Sequence, residues 1–99
     1  MAMFITLGKF TDQGAKNLPN LRKTVEENMA RGERLGIKVH GWYLTQGGYD
    51  IVVLAEAPDA ETMLAQAAGV AGTGNVRTET LRAFTLEEAD RVLKRLGAA

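Results

Sequence analysis

Residues 37–56 read IKVHGWYLTQGGYDIVVLAE, and the two glycines at its centre decide what the segment is. Runs rich in Val, Ile, Tyr and Trp flank Gly47-Gly48 on both sides. A glycine pair between two such runs signals a hairpin, because glycine supplies the positive φ that tight turns need. Closing the turn with Gln46 opposite Tyr49 sets Leu44 against Ile51, Trp42 against Val53 and His40 against Ala55. Thr45–Asp50, Tyr43–Val52 and Gly41–Leu54 then share the other face. A slip of one residue would exchange the faces, yet both remain largely apolar in either register. A sheet of that kind has to be covered on both sides.

The segments around this hairpin complete the fold. Met3 to Phe10, MFITLGKF, is short and β-rich. In the polar segment that follows, Leu18, Leu21, Val25 and Met29 recur at steps of three and four, one face of a helix. Thr11 or Asp12 can cap an early turn, and Pro19 suits the first turn of the main helix, so a break is expected near Asn17. Gly36 ends that helix. Pro58 and Asp59 open a second, Ala-rich helix, ended by Gly69, Gly72 and Gly74. NVRTETLRAF is a fourth strand. Thr85 and Glu88 stand at capping-box spacing ahead of an apolar stripe of Leu86, Ala89, Val92, Leu93 and Leu96, a third helix that docks on the domain or on a partner. The order β-α-β-β-α-β-α predicts an α+β, ferredoxin-like split βαβ fold with a C-terminal helix. Two helices cover one side of its four strands. The other side calls for a second protomer, and two such sheets face to face make a dimeric α+β barrel.

Bulk properties narrow the function. Ninety-nine residues make one domain, 1–99, with a small core. Twelve Lys plus Arg balance twelve Asp plus Glu, so no basic excess recruits nucleic acid and little self-repulsion opposes self-association. There is no cysteine, which removes thiol chemistry and zinc-thiolate sites. The N-terminal MAMFITLGKF has neither a basic leader nor a long apolar run. The expectation is a cytoplasmic protein without a membrane partner.

Three blocks, FITLGKFTDQGAKN, GWYLTQGGYDIVVLAEAPD and GNVRTETLRAFTLEEADRVL, resemble the signature regions of the GYD domain family, small bacterial and archaeal proteins named for the tripeptide that here is Gly48-Tyr49-Asp50. The resemblance covers nearly the whole chain. It implies the same dimeric α+β barrel, and a biochemical role that is unassigned.

Several residues carry a functional reading beside a structural one. Gly47-Gly48-Tyr49-Asp50 is a turn in which Asp50 bonds Thr45 or turn backbone; alternatively, Tyr49 is a phenol donor and Asp50 a base. Gly69–Gly74, GVAGTG, follows a helix and precedes a strand, the reverse of a phosphate-binding loop, and reads as a connector. His40, the single histidine, lies near Glu56. It is either an ordinary strand residue or a general base, and one histidine with one carboxylate does not specify a metal. Arg77, Glu79 and Arg82, with Lys9, are expected as cross-strand charge pairs, Arg77 and Glu79 on one face and Arg82 on the other; if some point inward, Arg77 and Arg82 become candidates for an anionic ligand. Trp42 and Tyr43 fall on opposite faces, one in the core and one at the barrel or protomer interface.

Together these readings predict a small homo-oligomer, a dimer or a higher even-numbered assembly, serving as a ligand-binding or protein-interaction module without metal or cofactor. The alternative is a cofactor-free enzyme, monooxygenase-like or isomerase-like, acting on a small hydrophobic molecule, with His40 as base, Tyr49 as donor, Asp50 as orienter and Trp42 as pocket wall. In a binding module Trp42, Tyr43, Arg77 and Glu79 are the candidate contacts.

Overall fold

The computed structural model describes residues 1–97; the last two residues of the domain expected over 1–99 lie outside the described residues. The chain runs β1 (Ala2–Phe10), α1 (Asp12–Lys16), a 3-10 turn (Leu18–Asn20), α2 (Leu21–Arg34), β2 (Lys38–Leu44), β3 (Ile51–Ala57), α3 (Ala60–Ala71), β4 (Val76–Ala83) and α4 (Leu86–Lys94). The strands form one sheet in the order β2-β3-β1-β4, with every neighbouring pair antiparallel. This is the expected α+β split βαβ arrangement, with the first strand at its centre.

Local chemistry sets the helix boundaries. Thr11 Oγ1 accepts the Gly14 N–H at 3.1 Å and caps α1. Asn17 closes α1, and Pro19, which has no N–H to donate, sits in the 3-10 turn before α2. The break near Asn17 is therefore real, and it makes α1 a separate element. Asp59 caps α3 by accepting the Thr62 N–H at 2.8 Å. Helix α3 runs on to Ala71, so Gly69 lies within it rather than at its end.

The hairpin keeps the predicted register near its turn: Leu44 faces Ile51, Tyr43 faces Val52, Trp42 faces Val53 and Gly41 faces Leu54. Two details differ. The last main-chain bond across it is Thr45 N–H to Asp50 O, at 2.8 Å, so Gln46–Tyr49 form a wider loop than a Gly47-Gly48 two-residue turn. Of the two glycines only Gly47 has positive φ, at 106°. Further along, the register shifts between Val39 and Gly41, and Val39 instead of His40 pairs with Ala55. His40 is the extra residue of a β-bulge, which turns its side chain from the Ala55 face to the Glu56 face.

Strand parity sorts the sheet into two faces. Phe4, Thr6, Gly8 and Phe10 of β1 share theirs with Ile51, Val53 and Ala55 and look toward α2 and α3. Met3, Ile5 and Leu7 share the opposite face with Val52, Leu54, Tyr43, Leu81 and Ala83. The core lies on the helix side and is thin. Its buried apolar residues are Phe4, Ile37, Ile51, Ala55, Ala57 and Met63.

Helix α4 begins with the predicted capping box. Thr85 Oγ1 accepts the Glu88 N–H at 3.1 Å and Glu88 Oε1 accepts the Thr85 N–H at 3.0 Å. The bond from Thr85 N–H, joined by the charges of Arg82 and Arg91, holds the Glu88 carboxyl below its usual range. The apolar stripe of α4 does not dock on its own domain: Leu86 is 83% and Leu93 47% exposed. The chain is correspondingly extended, 52 × 31 × 18 Å, with a radius of gyration of 15.2 Å, where a compact chain of this length has about 12.6 Å.

The Thr11–Gly14 turn is clamped to the loop ahead of β4. Thr11 N–H and Gln13 Nε2 donate to Asn75 O and Thr73 O at 3.0 and 2.9 Å. A Cβ on Gly14 would lie 1.9 Å from Asn75 O, an overlap with backbone that no rotamer relieves. Gly14→Ala should therefore cost about 2–3 kcal/mol, or roughly 10 °C or more in melting temperature. Gly48, whose Cβ would meet nothing within 4 Å, should tolerate alanine with a change below about 1 kcal/mol. Thermal unfolding of both variants followed by circular dichroism checks the contrast.

Candidate functional site

The Gly48-Tyr49-Asp50 corner joins three strands. The Asp50 N–H donates to Gly8 O at 2.8 Å, and its carboxylate accepts the Phe10 N–H at 2.9 Å, so this residue finishes the ladder at the end of β1. Its carbonyl accepts from Thr45 N–H, and the Thr45 hydroxyl donates to Tyr49 O at 2.7 Å. The expected local side-chain bond to Thr45 or the turn is replaced by a distant one: only the main chain of Asp50 meets Thr45, while its carboxylate reaches forty residues back to β1. Tyr49 donates its phenolic hydrogen to Glu79 Oε2 at 2.8 Å while Lys9 Nζ stands 5.3 Å from the centre of its ring. That hydrogen bond and the nearby carboxylate charge raise the Tyr49 phenol above its usual 10.0.

The expected cross-strand charge pairs are not formed. Lys9 lies opposite Arg77, like charge against like, and Glu79 lies opposite Leu7. Glu79 binds Tyr49 instead, and Arg82, on the helix face, contacts Glu88 at 3.7 Å. The placement of Arg77 and Glu79 on one face and Arg82 on the other is as expected.

At the far end of the same face, His40 Nε2 meets Glu56 Oε1 at 2.5 Å, each side chain about one third exposed. Six strand positions separate Asp50 from Glu56, roughly 20 Å. Trp42 is on the opposite face, lining the space under the helices, and Tyr43 lies over Gly41 on the uncovered face. His40, Asp50 and Trp42 thus occupy three separate places and share no cavity. Among the described residues no group of three His, Cys, Asp or Glu side chains comes together as a metal site would need.

Between the sheet and the helices α2 and α3 runs a cavity of about 120 Å³. Val25, Met29, Trp42, Val53, Met63 and Val70 supply apolar wall, and no charged side chain lines it. Two buried polar atoms on its lining have no hydrogen-bond partner, Thr6 Oγ1 and Gln66 Oε1. Unpartnered burial costs about 1–3 kcal/mol per group. Neither residue was singled out from the sequence. The signal was there for Gln66: it falls with Met63, Ala67 and Val70 on the inward i, i+3, i+4, i+7 stripe of an Ala-rich helix.

A family model of the GYD domain matches residues 4–93. The chain belongs to the GYD domain family. Within this GYD protein the signature tripeptide is the strand-joining corner just described. A relative in Thermus thermophilus is 35% identical over 95 residues, 95% of this chain and 100% of that protein, and is named glutamine synthetase and cystathionine beta-lyase binding protein. In three dimensions the GYD chain is similar to a crystal structure of MtbAldR, with a TM-score of 0.63 at 12% identity. The match covers 85% of this chain and 52% of that one, so this chain spans about half of MtbAldR, and the likeness concerns the fold alone.

Two measurements follow from the corner. Asp50→Ala strands the Phe10 N–H and should cost about 1–3 kcal/mol in urea unfolding, whereas Asp50→Asn, which keeps an acceptor, should lose less than half of that. In a Tyr43→Phe background, the phenolate absorbance near 295 nm reports Tyr49 alone; its midpoint should lie above 10.0 and move back toward it in Glu79→Gln.

Proposed function

We propose that this GYD protein is an interaction module that assembles through its uncovered sheet face into a homodimer, or a higher even-numbered oligomer, and binds other proteins in that form. One observation carries the reading: the face of Met3, Ile5, Leu7, Val52 and Leu54 is apolar, and no described element lies over it. The surface area supports it. The chain exposes 6779 Å², roughly 1,300 Å² more than a compact monomer of 10.7 kDa would, and a standard interface buries about 800 Å² per partner. A second copy suits the face because its rim carries both signs, Lys9, Arg77 and Lys38 beside Glu79 and Glu56, so a two-fold partner can set unlike charges together.

The name of the Thermus relative supports protein binding as the role of the assembly. We assign that contact to the exposed stripe of α4, Leu86, Val92 and Leu93, which self-association through the sheet would leave free. The partner we propose is glutamine synthetase or cystathionine beta-lyase from the same cell. The location is the cytoplasm, where those enzymes work; no helix among the described residues is long and apolar enough to cross a membrane.

Sedimentation velocity tests the assembly. The wild-type chain should sediment as a dimer or larger even assembly, and Leu54→Lys should weaken it about a hundredfold or more by burying an unpaired charge, with the far-UV spectrum unchanged. A wild-type monomer at every concentration would refute it. Leu93→Glu should abolish co-sedimentation with the host's glutamine synthetase or cystathionine beta-lyase while leaving self-association intact; retained binding would remove α4 from the contact.

A further inference from the structure

We propose that the cavity between the sheet and helices α2 and α3 is a binding site for a small, uncharged, mainly apolar molecule that carries a hydrogen-bond donor, such as a hydroxyl on an aromatic ring. The site is separate from the sheet face and α4, so it stands or falls independently of the proposed assembly.

Three observations specify the ligand. The volume is about 120 Å³, and an apolar protein cavity of about 150 Å³ accepts benzene, so the occupant is no larger than a single substituted ring. The lining holds no charged residue, and an ion placed there would lose its hydration without compensation. The orientation of Gln66 then fixes the polar preference. Its Nε2 donates to Asn28 O at 2.8 Å, and only the amide nitrogen can donate to that carbonyl. The unpartnered atom is therefore Oε1, which only accepts. A ligand must bring it a donor. The second unpartnered atom, Thr6 Oγ1, can give or take a hydrogen bond and adds a polar point on the sheet side of the same space.

Access is provided by the surface between α2 and β2. An outer groove there shares Leu21, Val25, Met29 and Trp42 with the cavity. Trp42 thus stands where groove and cavity meet. The asymmetry between the two sheet faces separates two roles: the uncovered face presents broad apolar area suited to another protein, and the covered face encloses a space of molecular size with a directional acceptor.

The test compares two probes of one shape, phenol and toluene, titrated separately into the full-length protein and followed by amide shifts in ¹H–¹⁵N spectra. Toluene is the more hydrophobic, so an apolar void without a directed acceptor would prefer it. The site predicts the reverse. Phenol should bind saturably, shift the amides of Thr6, Met63 and Gln66, and bind about tenfold tighter than toluene. Gln66→Met keeps the length of the side chain and removes the acceptor; the preference for phenol should disappear while toluene still binds. Thr6→Val, which is near-isosteric, should reduce the preference in part and serves as the test if Gln66→Met does not fold. The proposal is overturned if neither probe shifts these amides saturably, if wild-type protein binds toluene as tightly as phenol, or if the preference survives in both variants. Sedimentation of the same samples keeps the result separate from assembly, which none of these changes should alter.

Discussion

Four strands present two faces, and in this chain the two long helices lie over the same one. The constraint arises from chain connectivity. Each split βαβ half returns its helix across the sheet on the side set by the right-handed crossover, so α2 and α3 end together and the opposite face is left to alternating apolar side chains. Met3, Ile5, Leu7, Val52 and Leu54 would normally mark the inside of a protein. Here they are only half-buried, and with the undocked α4 they go with a radius of gyration of 15.2 Å and a surface larger than a compact chain would show. The proposed role rests on this incompleteness: a second copy laid on the uncovered sheet face would bury it.

The GYD tripeptide serves the fold before any function. Asp50 ties the start of β3 to the end of β1 through both its N–H and its carboxylate, and Tyr49 reaches across to Glu79 on β4. The Thr11–Gly14 turn does the equivalent work on the other flank of β1, holding the loop before β4 so closely that Gly14 has no room for a Cβ. Two of the three sequence blocks that resemble the family therefore act as joints around the central strand, and the third supplies β4 and the cap of α4. The side chains of the signature are committed elsewhere in the sheet, Asp50 to the backbone of β1 and Tyr49 to Glu79.

The helix side of the sheet is covered by α2 and α3 but not tightly filled. Small residues such as Ala55, Ala57, Gly8 and Gly32 are buried on this side, and the buried apolar set contains a single aromatic, Phe4. Space under the helices is what remains. The unpartnered Oε1 of Gln66 and the Thr6 hydroxyl give this space polar direction, and both owe their position to packing: Gln66 to the bond that pins its amide to α2, Thr6 to the inward parity of β1.

Sequence by itself determined the elements and most of their edges. Periodicities of two and of three to four residues, the capping box at Thr85 and Glu88, the break at Asn17 ahead of Pro19 and the hairpin register from Gly41 to Leu44 are local signals, written within a few residues of where they act. The apolar character of both hairpin faces was equally legible, and with it the expectation of a covering partner. Tertiary structure decided what depends on residues distant in the chain. Nothing near His40 announces the bulge that turns it toward Glu56, because a bulge arises from how two strands share their twist. Nothing near Glu79 indicates that it will bind a tyrosine thirty residues earlier and not an arginine two residues away. The cavity was the least legible feature of all. Its walls come from α2, α3 and all four strands, and empty space is a property of how they pack, belonging to no residue alone.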